Sequence, residues 1–222
     1  MRVAAKRTPV TYPEVVEGLR NAWGRVFGGK PKPESLYVLA AQWALETARG
    51  KSMYNFNCAG IKAGSEQLHT YYPTTEVVTR AAAERFMKNQ TPNARVEVAK
   101  DEGDLTVTLR FFPDNEICRF RAYETLNDGC FDYLLLLQRR FALSWDPVVA
   151  GDPAEFSRAL KRQGYYTADE PKYTALMVSL FKEAQKAAPV EPVPDTLPTG
   201  KLPWSTSTEG IVEAELAKRG SE

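Results

Sequence analysis

The run Glu34 to Arg49, ESLYVLAAQWALETAR, is apolar almost all the way round a helical wheel. At about 100° per residue, Leu36, Leu39, Ala40, Trp43 and Thr47 share one face, and Tyr37, Val38, Ala41 and Leu45 cover most of the rest. Ser35, Gln42, Glu46 and Arg49 fall together on the remaining sector. A helix of this kind belongs inside a core, where an unpaired carboxylate is costly. Glu46 therefore either has a buried partner or faces a solvent-filled cleft with a raised pKa. The second arrangement is the one a general acid requires.

The rest of the pattern predicts a mostly helical chain with one small β element. Thr11, with Glu14 three residues on, forms a capping box for a helix reaching about Phe27, whose apolar face is Val15, Val16, Leu19, Trp23 and Val26. The stretch GGKPKP, residues 28–33, breaks that helix, and the Glu46 helix should stop near Gly50. MYNFNCAGIKAG, residues 53–64, lacks helical periodicity, is rich in Asn and Gly, and is expected as a loop lining a cleft. Thr75 to Lys88 is expected as a further helix. ARVEVA and LTVTLRFF alternate apolar and polar around a KDEGD turn, the signature of a β-hairpin, here an exposed flap. Helices resume at about Leu126 to Leu143, at Pro153 to Gln163 with Asp152 as N-cap and Pro153 in the first helical position, and at Pro171 to Lys186.

After Ala188 the composition turns to PVEPVPDTLPTGKLP, which no helix interior accepts and which suits an extended linker or strap, with Trp204 as an anchor. Glu209 to Lys218 has the spacing of a short amphipathic helix. The chain thus divides into one main domain, residues 1–188, and a tail, residues 189–222.

Composition agrees with a single sizeable core: 43% of the 222 residues are hydrophobic and 26% charged. The net charge of +1 provides no basic stripe for nucleic acid, and Lys30, Lys32, Arg139 and Arg140 are expected as solvated helix flanks. No apolar run is long enough to span a membrane, and the N-terminal MRVAAKRTPVTYPEVV lacks the apolar core of a Sec signal peptide. Cys58, Cys118, Cys130 and the single His69 match no metal-ligand spacing. The three cysteines are expected as small buried residues, with a Cys58 to Cys118 disulfide left open. The chain has no dinucleotide fingerprint, Walker motif or nucleophile elbow, so no cofactor is expected.

Four ordered blocks carry a resemblance. AQWALETARGKS, residues 41–52, is followed by YNFNCAGIKA, residues 54–63. FRAY, residues 120–123, comes next with Asp132 and Tyr133 beyond it, and then GYYTADEPKY, residues 164–173. Together they resemble the bacterial endo-β-N-acetylglucosaminidases of glycoside hydrolase family 73, over roughly residues 35 to 185. The resemblance implies an α+β, mainly helical, lysozyme-like two-lobed fold with a small β-hairpin lobe flanking the cleft. It also implies a peptidoglycan hydrolase that cuts a β-1,4 link of the glycan strand. Without a signal peptide, delivery to the wall would fall to a phage lysis system, a virion or a contact-dependent secretion apparatus, and any immunity partner is unknown.

The resemblance also suggests roles for residues. Glu46 is expected as the general acid, the plain alternative being a structural glutamate bonded to Gln42 and a backbone amide. Most glycosidases need a second carboxylate. Glu76, in TTEVV, matches the region where the family carries it, with Glu66 and the Asp114 to Glu116 pair as alternates. The plain reading of Glu76 is an acid at a helix N-terminus. Tyr165 aligns with the tyrosine that the family places near the reacting sugar, with Tyr166 one position away. Gln42, Tyr54, Phe56, Asn57, Gly60 and Tyr166 are the expected substrate-binding set. Cys58 and Ala59 replace the family's usual Leu-Phe. Two other readings stay open: a muramidase or lytic transglycosylase on the same fold, and a catalytically silent wall-binding module.

Overall fold

In the computed structural model, residues 1–191 are described; the expected Trp204 anchor and the 209–218 helix lie outside them. The chain builds a helical lobe around helix α2, Pro33–Glu46, whose residues from Ser35 to Ala44 are all buried. Helix α1, Tyr12–Phe27, begins where expected: the Glu14 carboxylate accepts both the backbone N–H and the hydroxyl of Thr11 at 2.7 Å. It ends at Gly28, which takes the left-handed conformation (φ 71°) that favours glycine.

Around α2 stand α1, helix α5 (Trp145–Ala150) and helix α7 (Glu170–Ala187), while helix α4 (Leu126–Arg140) packs on α1 and helix α6 (Pro153–Arg162) packs on α7. Trp43, Leu36, Leu39, Leu19, Tyr133, Leu134, Leu137, Phe156 and Leu160 fill the space between them and are essentially inaccessible to water. At about 1.5–3 kcal/mol for each fully buried large apolar side chain, this cluster dominates the stability of the lobe. Asp152 caps α6 as expected, accepting from the N–H groups of Ala154 and Glu155 at 2.9 Å. The predicted helix to Leu143 ends at Arg140, and its last residues form a separate 3-10 turn, Ala142–Ser144, leading into α5.

The β lobe differs from expectation in one element. The span Thr75 to Lys88 divides into a strand, β2 (Thr74–Thr79), and helix α3 (Arg80–Lys88), because the β-branched run TTEVVT pairs with a neighbouring strand. The expected hairpin is β3 (Val96–Asp101) and β4 (Thr106–Phe111), and β4 is central in an antiparallel order β2-β4-β3. The hairpin is therefore not a free flap. One face of the sheet buries Val96, Val107, Leu109 and Phe111 against Ala83 of α3 and Cys118, a second small core. A two-stranded sheet, β1 (His69–Tyr71) with β5 (Arg119–Arg121), joins this lobe to the helices.

The first nine residues form an extended strap along the loop after α2. Val3 N–H donates to the His69 carbonyl (2.8 Å), Thr8 N–H to that of Met53 (3.1 Å), and Asn55 N–H to that of Lys6 (2.9 Å). The Asn55 side chain bonds both Lys6 and Ala4.

All three cysteines are buried and free. Cys58 does not face Cys118, which sits in the β-lobe core; its sulfur neighbour is Cys130 of α4, 3.7 Å away. Among the described residues, no helix is long and apolar enough to cross a membrane.

Candidate active site

The end of α2 is built by LETARG. Helix geometry stops at Glu46, earlier than the expected Gly50, because Ala48 (φ 49°) and Arg49 (φ 59°) both adopt left-handed backbone. Such conformations are costly for residues with a Cβ and persist only where the surroundings hold them. The Thr47 hydroxyl donates to the Trp43 carbonyl at 2.6 Å and accepts from Gly50 N–H at 2.9 Å. Arg49 makes a two-pronged ion pair with Glu183 of α7 at 2.6 and 2.7 Å. Gly50 (φ 79°) passes so close to the strap that a Cβ would lie 2.5 Å from the Val10 carbonyl oxygen.

This turn delivers Glu46 to the floor of a cleft of about 820 Å³ between the lobes. As a whole residue Glu46 is exposed to the cleft, whereas protein surrounds its carboxyl densely enough to desolvate it. Desolvation raises its pKa to about 7, against a smaller opposing effect from the Tyr173 hydroxyl, which donates to Glu46 Oε1 at 3.1 Å. The carbonyl end of α2 adds a negative potential of the same sign. Tyr173 is itself buried and stacks face to face on Tyr166, with centroids 3.7 Å apart. The Tyr166 hydroxyl is in turn bonded to Ser157. Burial, reinforced by the Glu46 charge, keeps the phenols of Tyr165 and Tyr173 protonated far above their ordinary range.

The opposite wall comes from the β lobe. Thr74, Thr75 and Glu76 of β2, Ala99 of β3 and Arg110 of β4 line the cleft. Glu76 is a strand residue opposite Leu109, not a helix N-terminal acid, and its carboxylate pairs with Lys62 at 3.7 Å. Burial lowers the Lys62 ammonium pKa, and Glu76 pulls it back up. Between the walls runs a ladder of rings. Tyr54 stacks on Tyr72 (4.5 Å) and Tyr72 on Phe120 (4.1 Å), with Arg7 over the outer face of Tyr54 and Lys62 over Phe120.

A family model described as "Glucosaminidase: Mannosyl-glycoprotein endo-beta-N-acetylglucosaminidase" matches residues 35–186. The chain belongs to the glucosaminidase family. It is accordingly a glycoside hydrolase. No curated protein sequence matches it. Among solved structures it is similar to the catalytic domain of the autolysin Auto from Listeria monocytogenes, at 15% identity and a TM-score of 0.41, over 81% of this chain and 88% of that one.

Within this glucosaminidase the structure brings Glu46, Glu76, Tyr54, Asn57 and Gly60 to one cleft; Gln42, Tyr165 and Tyr166 do not line it, Gln42 being fully buried and the two tyrosines half-buried against the main core. Phe56 goes elsewhere: it packs on the main core and lines a groove with Val10, Pro13 and Leu126 on another face. Tyr54 lies in the cleft, but Tyr72 and Arg7 cover its two faces, so it offers an edge and a hydroxyl rather than a platform for a sugar. The Asn57 side chain is spent on the loop itself, donating to the Ile61 and Arg121 carbonyls and accepting from Ile61 N–H. Gln42 is fully buried and accepts from the Tyr133 hydroxyl. The alternates Glu66 and Asp114 to Glu116 do not line the cleft.

Sequence reading missed Tyr173 as the partner of Glu46, although it closes the fourth block. It also missed the clasp in which Arg121 and Tyr123 of the third block both bond Asp132. Replacing Tyr173 by Phe removes the bond that favours the Glu46 carboxylate. For a Glu46 that acts as general acid, the basic limb of the activity profile near pH 7 is expected to move to higher pH, and a pH–kcat/KM series on the variant checks this.

Proposed function

We propose that this glucosaminidase cuts the β-1,4 bond that follows N-acetylglucosamine in the glycan strand of bacterial peptidoglycan. Glu46 is the general acid and Glu76 the second carboxylate. The observation that carries this reading is a carboxyl group at the cleft floor whose pKa is raised to about 7 and whose inner oxygen is held by Tyr173. A group with that pKa is about half protonated at neutral pH and largely so below it, and its proton is available to the leaving oxygen of a glycosidic bond. As the proton leaves, the Tyr173 hydroxyl steadies the carboxylate that forms.

Glu76, on the facing sheet, supplies negative charge opposite the oxocarbenium-like sugar or serves as base for water, and Lys62 holds it in place. Tyr165 stiffens the aromatic backing of Glu46, with its ring edge-on to Phe141 at 4.9 Å. The loop at Gly60, an exposed residue on the cleft lining, offers backbone where an N-acetyl group can hydrogen-bond.

The test is digestion of purified sacculi, with products reduced by borohydride and resolved by mass. Reduced N-acetylglucosamine ends support the proposal. Reduced muramic ends make the enzyme a muramidase, and 1,6-anhydro ends make it a transglycosylase working with one acid. Bound but intact sacculi would leave only a wall-binding module.

A further inference from the structure

The cleft carries more positive charge than its own acids neutralise. Five charged residues line it: Arg7, Lys62 and Arg110 against Glu46 and Glu76. Lys62 and Glu76 pair with each other. With Glu46 in its acid form below about pH 7, the two guanidiniums are left uncompensated. Arg7 is tied to neutral acceptors, the Lys51 carbonyl at 2.8 Å and the Tyr54 hydroxyl at 3.2 Å. Arg110 has still less: its guanidinium meets no carboxylate and no hydrogen-bond acceptor among the described residues, only the ring of Phe112 at 5.1 Å.

Its position in the sheet explains why. Arg110 is on the central strand, directly opposite Thr75 of β2 and Glu97 of β3. Glu97 is the natural cross-strand partner, but its carboxylate is taken by Arg95. Leu109 and Phe111, on either side of Arg110, point into the small core, so alternation turns Arg110 to the other face, beside Thr75; Glu76, opposite Leu109, is on the core face, and the cleft takes in residues of both. The β lobe thus holds an exposed, unsatisfied planar cation over the cleft that holds Glu46.

A chain of N-acetylated sugars has no charge of its own for such a group to meet. We infer that Arg110, with Arg7 in a supporting role, binds a carboxylate carried by the muramic residues of the strand, and so makes the enzyme prefer acidic glycan to neutral glycan. This rests on the glycan-cleaving reading above. The guanidinium fork matches a carboxylate two-pronged, which a lysine cannot reproduce. Two sources supply that chemistry: the lactyl carboxylate of a stripped glycan, and the carboxylates of an attached peptide stem.

Three forms of one glycan separate these: stem-bearing, stripped by an amidase so that only lactyl carboxylates remain, and chemically amidated so that no free carboxylate remains. Steady-state release of reducing ends is measured for wild type, Arg110→Lys and Arg110→Gln. The expected result is a KM on acidic glycan raised about tenfold by Arg110→Gln, to the value wild type shows on amidated glycan, with kcat little changed and Arg110→Lys intermediate. A loss on stripped glycan alone assigns the lactyl carboxylate, which the amide bond to the stem otherwise consumes; a loss on stem-bearing glycan alone assigns the stem, and a loss on both shows that the guanidinium takes a carboxylate from either source. An unchanged ratio of acidic to amidated kcat/KM in Arg110→Gln overturns the assignment while leaving the glycosidase reading intact. Cleavage of none of the three by wild type overturns that reading itself.

Discussion

Glu46→Gln is expected to lower glycan cleavage by about a thousandfold or more, because it removes the proposed proton donor while leaving the shape of the cleft floor. Gln has the same length, and its side-chain oxygen can still accept from Tyr173, so the variant should fold and bind glycan as wild type does. The loss should fall on kcat with little change in KM. The residual rate should also lose the basic limb near pH 7, since the titrating group is gone. Parallel measurement of turnover and sacculus binding checks both halves. A variant that cleaves at near wild-type rate would return Glu46 to the role of a structural acid bonded to Tyr173.

The second large effect is on stability, and its sign runs against the usual rule. Replacing glycine by alanine inside a helix normally stabilises by about 0.5–1 kcal/mol. Gly129 lies in the first turn of α4, but a Cβ there would stand 1.9 Å from the carbonyl oxygen of Phe56 and 3.1 Å from its carbonyl carbon. Both are backbone atoms that no rotamer change can move. Gly129→Ala is therefore expected to destabilise by about 3 kcal/mol, lowering the melting temperature by about 10 °C. It should also push the cleft loop off the helix, so activity should fall even at temperatures where the variant remains folded. Calorimetry and turnover on one sample check the two together.

The helical lobe was legible because its signals are local. The all-round apolar run of α2, the Thr11 to Glu14 pair and the Asp152 to Pro153 start each sit within a few residues of what they specify. Strand β2 was not legible. TTEVVT runs into RAAAERFMK with no glycine or proline between them, and only pairing with β4, some thirty residues on, separates strand from helix. Glu46 stood out because its own helix isolates it. Its partner Tyr173 lies 127 residues away, and although it closes the fourth block, nothing in that block says its hydroxyl reaches Glu46. Gly129 carries no sequence mark of the carbonyl pressed against it. Phe56 was misplaced because a loop without periodicity does not say which way a ring turns, and a left-handed backbone (φ 52°) sends this one away from the cleft.

The strap formed by the first nine residues bears on where the working unit of this enzyme ends. The segment by which the family is recognised runs from residue 35 to 186. The loop opposite α2 is held by main-chain bonds from residues before that segment, and Val15, Leu19 and Ala22 of α1 are wholly inaccessible within the same core. A fragment trimmed to the recognised boundaries would expose that apolar face, lose Arg7, and leave the loop carrying Tyr54 and Asn57 without its outer support. The folded unit that holds the cleft in shape therefore begins well before residue 35.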